Sequence, residues 1–371
     1  MASMIHSEMR RHGIKLLLGY TVEGFREKDH EAEVLLKDNP SLRADMVILA
    51  IGVTPDTALA KEAGLELGIK GSIVVNDRME TSVPDIYAAG DAVQVKHYVT
   101  GEDTLLSLAG PANKQGRIIA DHICGDDSRY PGSQGSSVIK VFDMTAATTG
   151  INETNARRAG LQVDTVILSP MSHAGYYPGG KVMTMKVVFE KATCRLLGAQ
   201  IIGYEGVDKR IDVLATAIHA GMKATQLKDL DLAYAPPYSS AKDPVSMAGF
   251  MIDNITKEIL KQWHLEDMDA VLKEEGAVLL DVRTVQEYSR GHISGFINIP
   301  LDELREHIHE IEKGKPVYLI CQSGLRSYIA SRILEGYGYE TYNFSGGFRF
   351  YDAVVNDRAL IERAYACGMD Y

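Results

Sequence analysis

The sequence predicts an α/β protein of several domains, and three stretches carry most of that prediction. An apolar strand and a short loop at Val317–Ser327 lead directly into a helix at Tyr328–Leu334. A second strand ends in the pair Gly90-Asp91, and several strands precede a helix between Thr165 and Ala220. A length of 371 residues corresponds to two or three domains of roughly 150 residues.

Composition excludes several classes of protein. Hydrophobic residues make up 45% and charged residues 24% of the chain, which is ordinary for a soluble globular protein. The formal net charge of −11 argues against nucleic acid as a partner. The longest apolar run, residues 46–53, is far shorter than the roughly 18 residues typical of a membrane span, and no long apolar core of a signal peptide is present.

The four cysteines indicate a reducing compartment. Cys124, Cys194, Cys321 and Cys367 are scattered, with no C-x-x-C pair and no spacing typical of metal ligands. We therefore expect a cytoplasmic protein without a metal site and without membrane association.

The loop that follows the strand at Val317 combines the features of an anion site. Backbone N–H groups converge in such a loop, the next helix contributes its positive end, and Arg326 adds a fixed charge. A thiolate or a persulfide is therefore favoured at Cys321, although a structural cysteine at a strand end is the simpler alternative. The predicted persulfide loop comprises Gln322, Ser323, Gly324, Leu325, Arg326 and Ser327.

The run Cys-Gln-Ser-Gly-Leu-Arg-Ser resembles the active-site loop of rhodaneses, which carry sulfane sulfur on a cysteine persulfide. Residues 279–283, 287–288, 291–295 and 298–301 match the other signature of that family. The resemblance implies that Cys321 and Arg326 are catalytic. It also implies scaffold roles around the loop for Asp281, Arg283, Glu287 and His292. Phe296 departs from the family pattern, which more often has a small residue there.

A second candidate site lies at the end of the stretch Thr81–Ala92. A buried strand there is expected to end at Gly90-Asp91, where an α/β sheet usually places its ligand. Asp91 could accept hydrogen bonds from ligand hydroxyls, while the glycine lets the ligand approach the backbone. A Gly-Asp pair by itself is more often a turn than a site.

The full stretch resembles the second flavin-binding motif of pyridine nucleotide-disulfide oxidoreductases, in which Asp91 would hold the ribitol of FAD. Residues 50–56 match the hinge of that family, and 108–117 match the helix that faces the flavin pyrimidine edge. Pro111 in the first turn and the helix dipole suit such a position. The FAD-binding residues implied by the resemblance are Thr81, Asp85, Ile86, Ala88, Gly90, Asp91, Ala109, Ala112 and Tyr234.

Two tyrosine-proline stretches, residues 176–179 and 234–238, could be interface tyrosines held by prolines. Their pattern is similar to one branch of the family, the coenzyme A-disulfide reductases with a C-terminal rhodanese domain. That resemblance implies a homodimer in which Tyr234 reaches the partner's flavin site. It also implies that coenzyme A (CoA) or its disulfide contacts Asn113, Tyr176, Tyr177, Tyr238 and Lys242.

The resemblance divides the chain into four regions. Residues 1–53 would be the C-terminal remnant of an NAD(P)H-binding domain, with a helix at Ile5–His12 and a buried strand at Ala44–Gly52. Residues 54–135 would be the C-terminal part of an FAD-binding domain. An α+β dimerisation domain at 136–255 and a rhodanese domain at 256–371, with a parallel sheet between helices, would follow.

Two features of the family are missing from the sequence. It contains no G-x-G-x-x-G motif for FAD or NAD(P)H, and none of the cysteines matches the redox cysteine of the reductase. We interpret the chain as the C-terminal portion of a longer protein, with FAD weakly held or absent in this chain. NAD(P)H would be the reductant of that parent protein.

Two hypotheses follow. In the first, the chain derives from a reductase of CoA disulfide, CoA persulfide or polysulfide, and Cys321 accepts sulfur from a donor such as thiosulfate. In the second, it is a truncated, redox-inactive dimeric persulfide carrier or sulfurtransferase.

Overall fold

The computed structural model describes residues 1–367, with side chains described as far as Ile361. The last residues of the predicted rhodanese domain, 368–371, and the side chain of Cys367 lie outside this part. The chain forms two compact units. The larger contains Met1–Ile14 and Ser137–Arg358, and the smaller contains Lys15–Ser136 and the described residues that begin at Ala359.

The first helix, α1 (Ala2–Arg11), belongs to the larger unit. Its Met4 is buried in a cluster with Met144 and Phe350, which come from distant parts of the chain. The family resemblance predicts this helix in one region with the strands that follow it. Burial of the apolar face of the helix instead joins it to the larger unit.

The smaller unit begins with an antiparallel three-stranded sheet in the order β1-β2-β3. The hydrophobic core of the smaller unit contains Met79, Val93, Val95 and Tyr130. Its strands are β1 (Val22–Lys28), β2 (Glu31–Leu36), β3 (Asn39–Ala44), β4 (Val95–Lys96) and β5 (Asp103–Thr104), and its helices are α2 (Ala58–Glu62) and α3 (Ala109–Ile123).

Two strands expected in this unit do not form as predicted. The stretch after Ala44 is exposed, with Ile48 and Ile51 at 81% and 91% exposure, although a buried strand was expected at Ala44–Gly52. A strand needs a neighbour to pair its backbone groups, and β3 is an edge of the described sheet. Within Thr81–Ala92, Tyr87 makes only an isolated bridge to Glu80.

The larger unit contains an antiparallel sheet in the order β6-β7-β10-β9-β8. The strands expected at Thr165–Leu168, Val182–Glu190 and Gly198–Ile202 and the helix expected at Val207–Ala220 are confirmed within a few residues. The elements are β6 (Ser137–Val141), β7 (Met144–Gly150), α4 (Glu153–Arg158), β8 (Val163–Leu168), β9 (Thr184–Glu190), β10 (Leu196–Gly203), α5 (Val207–His219) and α6 (Pro244–Thr256).

A second sheet in the larger unit is parallel throughout, in the order β11-β15-β14-β12-β13. The expected parallel sheet with helices is therefore confirmed, and β14 is its central strand. The elements are β11 (Gln262–Trp263), α7 (Met268–Val271), β12 (Val278–Asp281), α8 (Val285–Arg290), β13 (Ile297–Asn298), β14 (Val317–Ile320), α9 (Leu325–Gly336), β15 (Thr341–Phe344) and α10 (Gly347–Cys367).

Helix α6 lies very close to the backbone of a neighbouring 3₁₀ turn, Ala224–Asp229. A Cβ atom added at Gly249 would come within 2.2 Å of the Lys228 amide nitrogen and 2.7 Å of the Leu227 carbonyl carbon. The helix starts at Pro244, and the carboxylate of Asp243 caps it by accepting from the Val245 N–H at 2.9 Å. Close packing and a defined start together fix the position of α6.

We expect Gly249→Ala to lower the free energy of unfolding by about 1–3 kcal/mol, because the added methyl group must displace backbone. The matched control is Gly336→Ala in α9, where an added Cβ meets nothing within 4 Å. The control should be neutral or stabilising by up to about 1 kcal/mol. Chemical denaturation measures both, and equal effects would contradict the proposed packing.

Candidate active site

Cys321 follows the central strand β14 directly and is fully buried, at 0% exposure. Its Sγ accepts a hydrogen bond from the Gly324 N–H at 3.1 Å. Gly324 has φ +97°, a conformation that favours glycine, and α9 starts at the next residue, Leu325. The helix thus begins three residues earlier than expected, and Arg326 and Ser327 belong to its first turn.

Ser327 supplies a second contact to the sulfur. Its Oγ lies 3.2 Å from Cys321 Sγ and also 3.2 Å from the Gly324 carbonyl oxygen. A hydroxyl has one proton, so it donates to one of these acceptors at a time. Negative charge on the sulfur would draw that proton toward itself, because a charged acceptor makes the stronger hydrogen bond.

The start of α10 supports the loop, a role that the sequence analysis missed. Gly347 has φ +69°, and an added Cβ would lie 2.7 Å from the Ser323 nitrogen and 2.8 Å from the Cys321 carbonyl oxygen. The Phe348 N–H donates to that carbonyl at 2.8 Å. The only sequence signal was the pair Gly346-Gly347 before a helix, which indicates close backbone approach.

Arg326 is held by a carboxylate, and among the described residues its side chain donates to Glu287 and not to the sulfur. Its two terminal nitrogens donate to the two oxygens of Glu287, each at 2.7 Å. This pairing raises the pKa of Arg326 and lowers that of Glu287 to about 2. The guanidinium of Arg326 therefore carries the expected positive charge near the loop, and its hydrogen bonds to Glu287 fix its orientation.

A buried ion pair lies close to the loop. The Arg283 Nη2 donates to Asp281 Oδ2 at 2.7 Å, with 2% and 0% of the two side chains exposed. The guanidinium also lies 3.8 Å from the ring centroid of Phe348, the residue that holds the Cys321 carbonyl. His292, by contrast, is exposed and stacks on Tyr288 at 4.0 Å.

The smaller unit brings together the Gly90-Asp91 turn and helix α3. Asp91 is exposed, and Gly90 has φ +80°. The Gly90 N–H donates to the side-chain oxygen of Gln115 at 2.7 Å, and an added Cβ at Gly90 would lie 3.8 Å from Ala112 Cβ. Gln115, only 2% exposed, was missed as the residue that fixes this turn.

These residues fit the part of FAD assigned to them. The exposed carboxylate of Asp91 is open to a hydroxyl donor, and α3 begins after the apolar Leu108, so no side chain caps its N–H groups. Those N–H groups suit an acceptor such as the pyrimidine edge. The other predicted FAD-binding residues of the smaller unit lie on the stretch before Asp91 or at the start of α3. They are Thr81, Asp85, Ile86, Ala88 and Ala109.

The two tyrosine stretches meet in the larger unit. The hydroxyl groups of Tyr176 and Tyr234 lie 2.8 Å apart, and this hydrogen bond raises the pKa of Tyr234. Tyr238 is 72% exposed, and the ring of Tyr177 meets that of His173 edge-on at 5.7 Å. Asn113, the remaining predicted CoA residue apart from Lys242, is exposed on α3 in the smaller unit.

Lys242 lies before α6, with its Nζ 5.1 Å from the ring centroid of Phe250. In the part of the chain that the structure describes, no group of three His, Cys, Asp or Glu side chains could hold a metal ion. The described helices include none that is both long and apolar enough to cross a membrane.

Family models match three consecutive segments. Residues 1–116 match the pyridine nucleotide-disulphide oxidoreductase family, 136–244 match its dimerisation domain, and 264–353 match the rhodanese-like domain. The chain therefore carries pyridine nucleotide-disulphide oxidoreductase domains followed by a rhodanese-like domain.

Two individual proteins that are similar to this chain have names that refer to coenzyme A. The NAD(P)H sulfur oxidoreductase (CoA-dependent) of Pyrococcus abyssi is 37% identical over 242 residues, which are 65% of this chain and 54% of the relative. The coenzyme A disulfide reductase of Staphylococcus aureus is 33% identical over 219 residues, 59% of this chain and 50% of the relative.

A solved structure extends the likeness to the C-terminal domain. Reduced Bacillus anthracis CoADR-RHD has a TM-score of 0.92 and 45% identity over 96% of this chain and 64% of that one. The chain spans about half the length of the curated relatives it matches.

The Glu287–Arg326 pair predicts a specific dependence of stability on pH. Since the pKa of Glu287 in the folded protein lies below its ordinary value of 4.5, the pair stabilises the fold fully above pH 4.5. That contribution is lost as the pH falls toward 2. Glu287→Gln should therefore destabilise the protein near pH 7, and its difference from wild type should shrink between pH 4.5 and 2.

Denaturation at a series of pH values measures this difference. Glu312→Gln is the control, since Glu312 pairs with Lys315 at the surface and is 65% exposed. It should be almost neutral at every pH. A Glu287→Gln difference that does not change between pH 7 and 2 would contradict the role assigned to the ion pair.

Proposed function

We propose that this chain belongs to an FAD-dependent NAD(P)H reductase of CoA disulfide, CoA persulfide or polysulfide, and that its rhodanese-like domain carries sulfane sulfur on Cys321. The observation that carries the proposal is the donor set around Sγ. The Gly324 N–H lies at 3.1 Å and the Ser327 hydroxyl at 3.2 Å, in a loop that begins a helix.

The loop from Gln322 to Ser327, called here the sulfur loop, suits an exchange between two anionic sulfur species. Attack of the Cys321 thiolate on the sulfane sulfur of thiosulfate forms one S–S bond, breaks another and releases sulfite. The negative charge remains in the site throughout, now on the outer persulfide sulfur. Donors already oriented toward that charge need little reorganisation, and Arg326, held by Glu287, adds a fixed positive charge near the loop.

The reductase half would use the residues around Asp91 and α3 to hold FAD. Bound FAD would pass electrons from NAD(P)H to a disulfide or persulfide. Asp91 would accept from the ribitol hydroxyls, and the first turn of α3 would face the pyrimidine edge. We assign Tyr234, hydrogen-bonded to Tyr176 at 2.8 Å, to the partner subunit's flavin site in a homodimer.

CoA recognition would use the side chains that the resemblance to the CoA-disulfide reductases assigns to it. The phosphates of CoA suit the flexible point charge of Lys242, and Tyr176, Tyr177, Tyr238 and Asn113 are further proposed contacts. The relatives named for CoA support this substrate class. A cytoplasmic location remains a prediction from the cysteine pattern.

The first experiment tests the sulfur site. Cys321→Ser should abolish formation of a persulfide with thiosulfate, because serine differs little in volume and cannot form an S–S bond. Mass spectrometry should find about one added sulfur atom per wild-type chain, confined to the peptide that contains Cys321. Ser327→Ala should slow loading by on the order of tenfold, since one hydrogen bond to a charged acceptor contributes about 1.5 kcal/mol or more.

The matched control uses other cysteines. Cys124 is exposed and Cys194 partly exposed, and Cys124→Ser with Cys194→Ser should leave loading unchanged. Sulfur found on either of them, or full transfer by Cys321→Ser, would contradict the proposal.

The second experiment tests the flavin half. The sequence contains no G-x-G-x-x-G motif, which normally supplies most phosphate contacts. The chain expressed alone should therefore contain substoichiometric FAD by its visible absorbance. Stoichiometric FAD that is reduced by NADH would contradict this prediction. Persulfide loading without any flavin binding, even with added FAD, would favour the redox-inactive carrier.

A further inference from the structure

One buried arginine joins three separate stretches of the larger unit. Arg210 lies near the start of α5, and only 1% of it is exposed. Gly206, just before the helix, has φ +67°, and a Cβ added there would come within 2.1 Å of Arg210 Nη1. The chain therefore carries a glycine where a side chain would displace the guanidinium.

A single terminal nitrogen of this guanidinium faces four acceptors. Nη2 lies 2.9 Å from the Ser172 carbonyl oxygen and 3.3 Å from that of Tyr238. It also lies 3.1 Å from Ser239 Oγ and 3.0 Å from Asp243 Oδ2. Because this nitrogen carries two protons, some of the hydrogen bonds are shared between acceptors.

The acceptors belong to three stretches that carry proposed CoA contacts and the proposed flavin contact Tyr234. These stretches are residues 172–177, 234–239 and 242–245, and they contain, in that order, Tyr176 with Tyr177, Tyr234 with Tyr238, and Lys242. The first two are also joined directly, since the Ala174 N–H donates to the Ser239 carbonyl at 2.9 Å. The guanidinium thus lies where the supports of these side chains meet.

Asp243 joins the same group to the start of α6. Its Oδ2 accepts from Ser239 Oγ at 2.7 Å as well as from Arg210, while its Oδ1 accepts from the Val245 N–H. Both oxygens of this buried carboxylate are therefore engaged. Lys242 is the residue before it, so the backbone that carries Lys242 is held where α6 begins.

A cavity lies among the same residues. Arg210 lines it together with Lys209, Tyr234 and Tyr238, and its volume of about 560 Å³ is in the range of small-molecule sites. Ser172 also lines it. Because the first two stretches both contribute to the wall, their relative position determines the shape of the cavity.

The ion pair is a costly means of stabilising a fold. Both charges lose their water on burial, and apolar residues of similar volume are often as stabilising as such a pair. A guanidinium offers something different, a rigid planar set of donors that a lysine ammonium or an apolar side chain cannot reproduce. What Arg210 supplies is therefore a fixed spacing among the three stretches.

We propose that Arg210 is a positioning residue for CoA binding. Its guanidinium sets the spacing of Tyr176, Tyr238 and Lys242, and it acts on CoA through these side chains. The inference rests on the proposed function, which assigns those contacts to CoA. It adds a residue that none of the sequence motifs above contains.

Arg210→Lys tests the proposal in the full chain. Lysine keeps a positive charge beside Asp243 but cannot reach the acceptors of all three stretches at once. Calorimetry with coenzyme A should give a dissociation constant about tenfold higher or more, because one contact to a charged phosphate contributes that much. The temperature is chosen so that denaturation curves show both proteins folded. An unchanged constant would overturn the proposal, since a purely structural residue would lower only Tm.

Two further variants make the test independent of how well Arg210→Lys folds. Ser239→Ala removes a hydroxyl that accepts from Arg210 and donates to Asp243, and it should raise the dissociation constant about threefold or more. Lys186→Met is the control, because Lys186 is 16% exposed and pairs with Glu153 of α4 in the same unit. It should lower stability and leave the affinity for coenzyme A unchanged. Equal losses of affinity in the two variants would contradict the proposal.

A double-mutant cycle separates positioning from independent contact. Lys242→Met alone should weaken binding of coenzyme A, because it removes a charge that suits phosphate. If Arg210 acts through Lys242 and its neighbours, Arg210→Lys should have a smaller effect when Lys242 is already replaced. Fully independent effects of the two changes would contradict the proposed role.

The proposed function and this inference fail in different ways. If the wild-type chain does not bind coenzyme A, the assignment of these contacts to CoA fails, and hydrogen exchange still tests whether Arg210 holds the stretches. Arg210→Lys should then speed exchange about tenfold or more in peptides from 172–177, 234–239 and 242–245, with little change in β9 and β10. Acceleration spread evenly over the larger unit would show that Arg210 only stabilises the fold.

Discussion

The proposed sulfur site depends on the close approach of the start of α10 to the loop after β14. Gly347 leaves no room for a side chain between the two backbones, and the Phe348 N–H holds the Cys321 carbonyl at 2.8 Å. Because these contacts hold the chain at the end of β14, the Gly324 N–H can point toward Sγ and α9 can begin at the next residue. A loop with free backbone groups would lose this orientation to solvent.

Charged residues around the loop work in two layers. Asp281 and Arg283 are almost fully buried and paired, so each satisfies a charge that would be very costly alone. Glu287 and Arg326 lie nearer the surface. The two hydrogen bonds between them hold the Arg326 guanidinium in one orientation, which it would otherwise lose to solvent. The buried pair supports the scaffold, and the outer pair places a positive charge near the proposed sulfur site.

The chain separates its two sets of candidate groups into different compact units. The turn at Gly90-Asp91 and helix α3 lie in the smaller unit, while Cys321 and the Tyr176–Tyr234 pair lie in the larger. Within the larger unit, Asn254 Nδ2 donates to the Tyr328 hydroxyl at 3.1 Å and so joins α6 to α9. The dimerisation-type sheet and the rhodanese-like sheet are therefore linked near a cavity that Ser323, Gly324 and Leu325 help to line.

The sequence by itself determined the α/β class, the positions of the strands before α5 and the strand, loop and helix around Cys321, whereas the parallel sheet was expected only from the resemblance to rhodaneses. Those features depend on local signals: apolar periodicity, turn residues and a short motif whose residues are adjacent in the chain. The partners of Arg326 and the support from Gly347 could not be read this way, because the contacting residues are 39 and 26 positions apart from Arg326 and Cys321.

Tertiary packing decided the rest. It placed α1 in the larger unit and left residues after Ala44 exposed, since an apolar run becomes a buried strand only where a neighbouring strand pairs with it. It also fixed the orientation of Asn343, whose unpartnered oxygen is visible only once the amide is seen to donate to Gly324. Sequence patterns indicate which groups a chain carries, whereas long-range packing determines which of them remain available to a ligand.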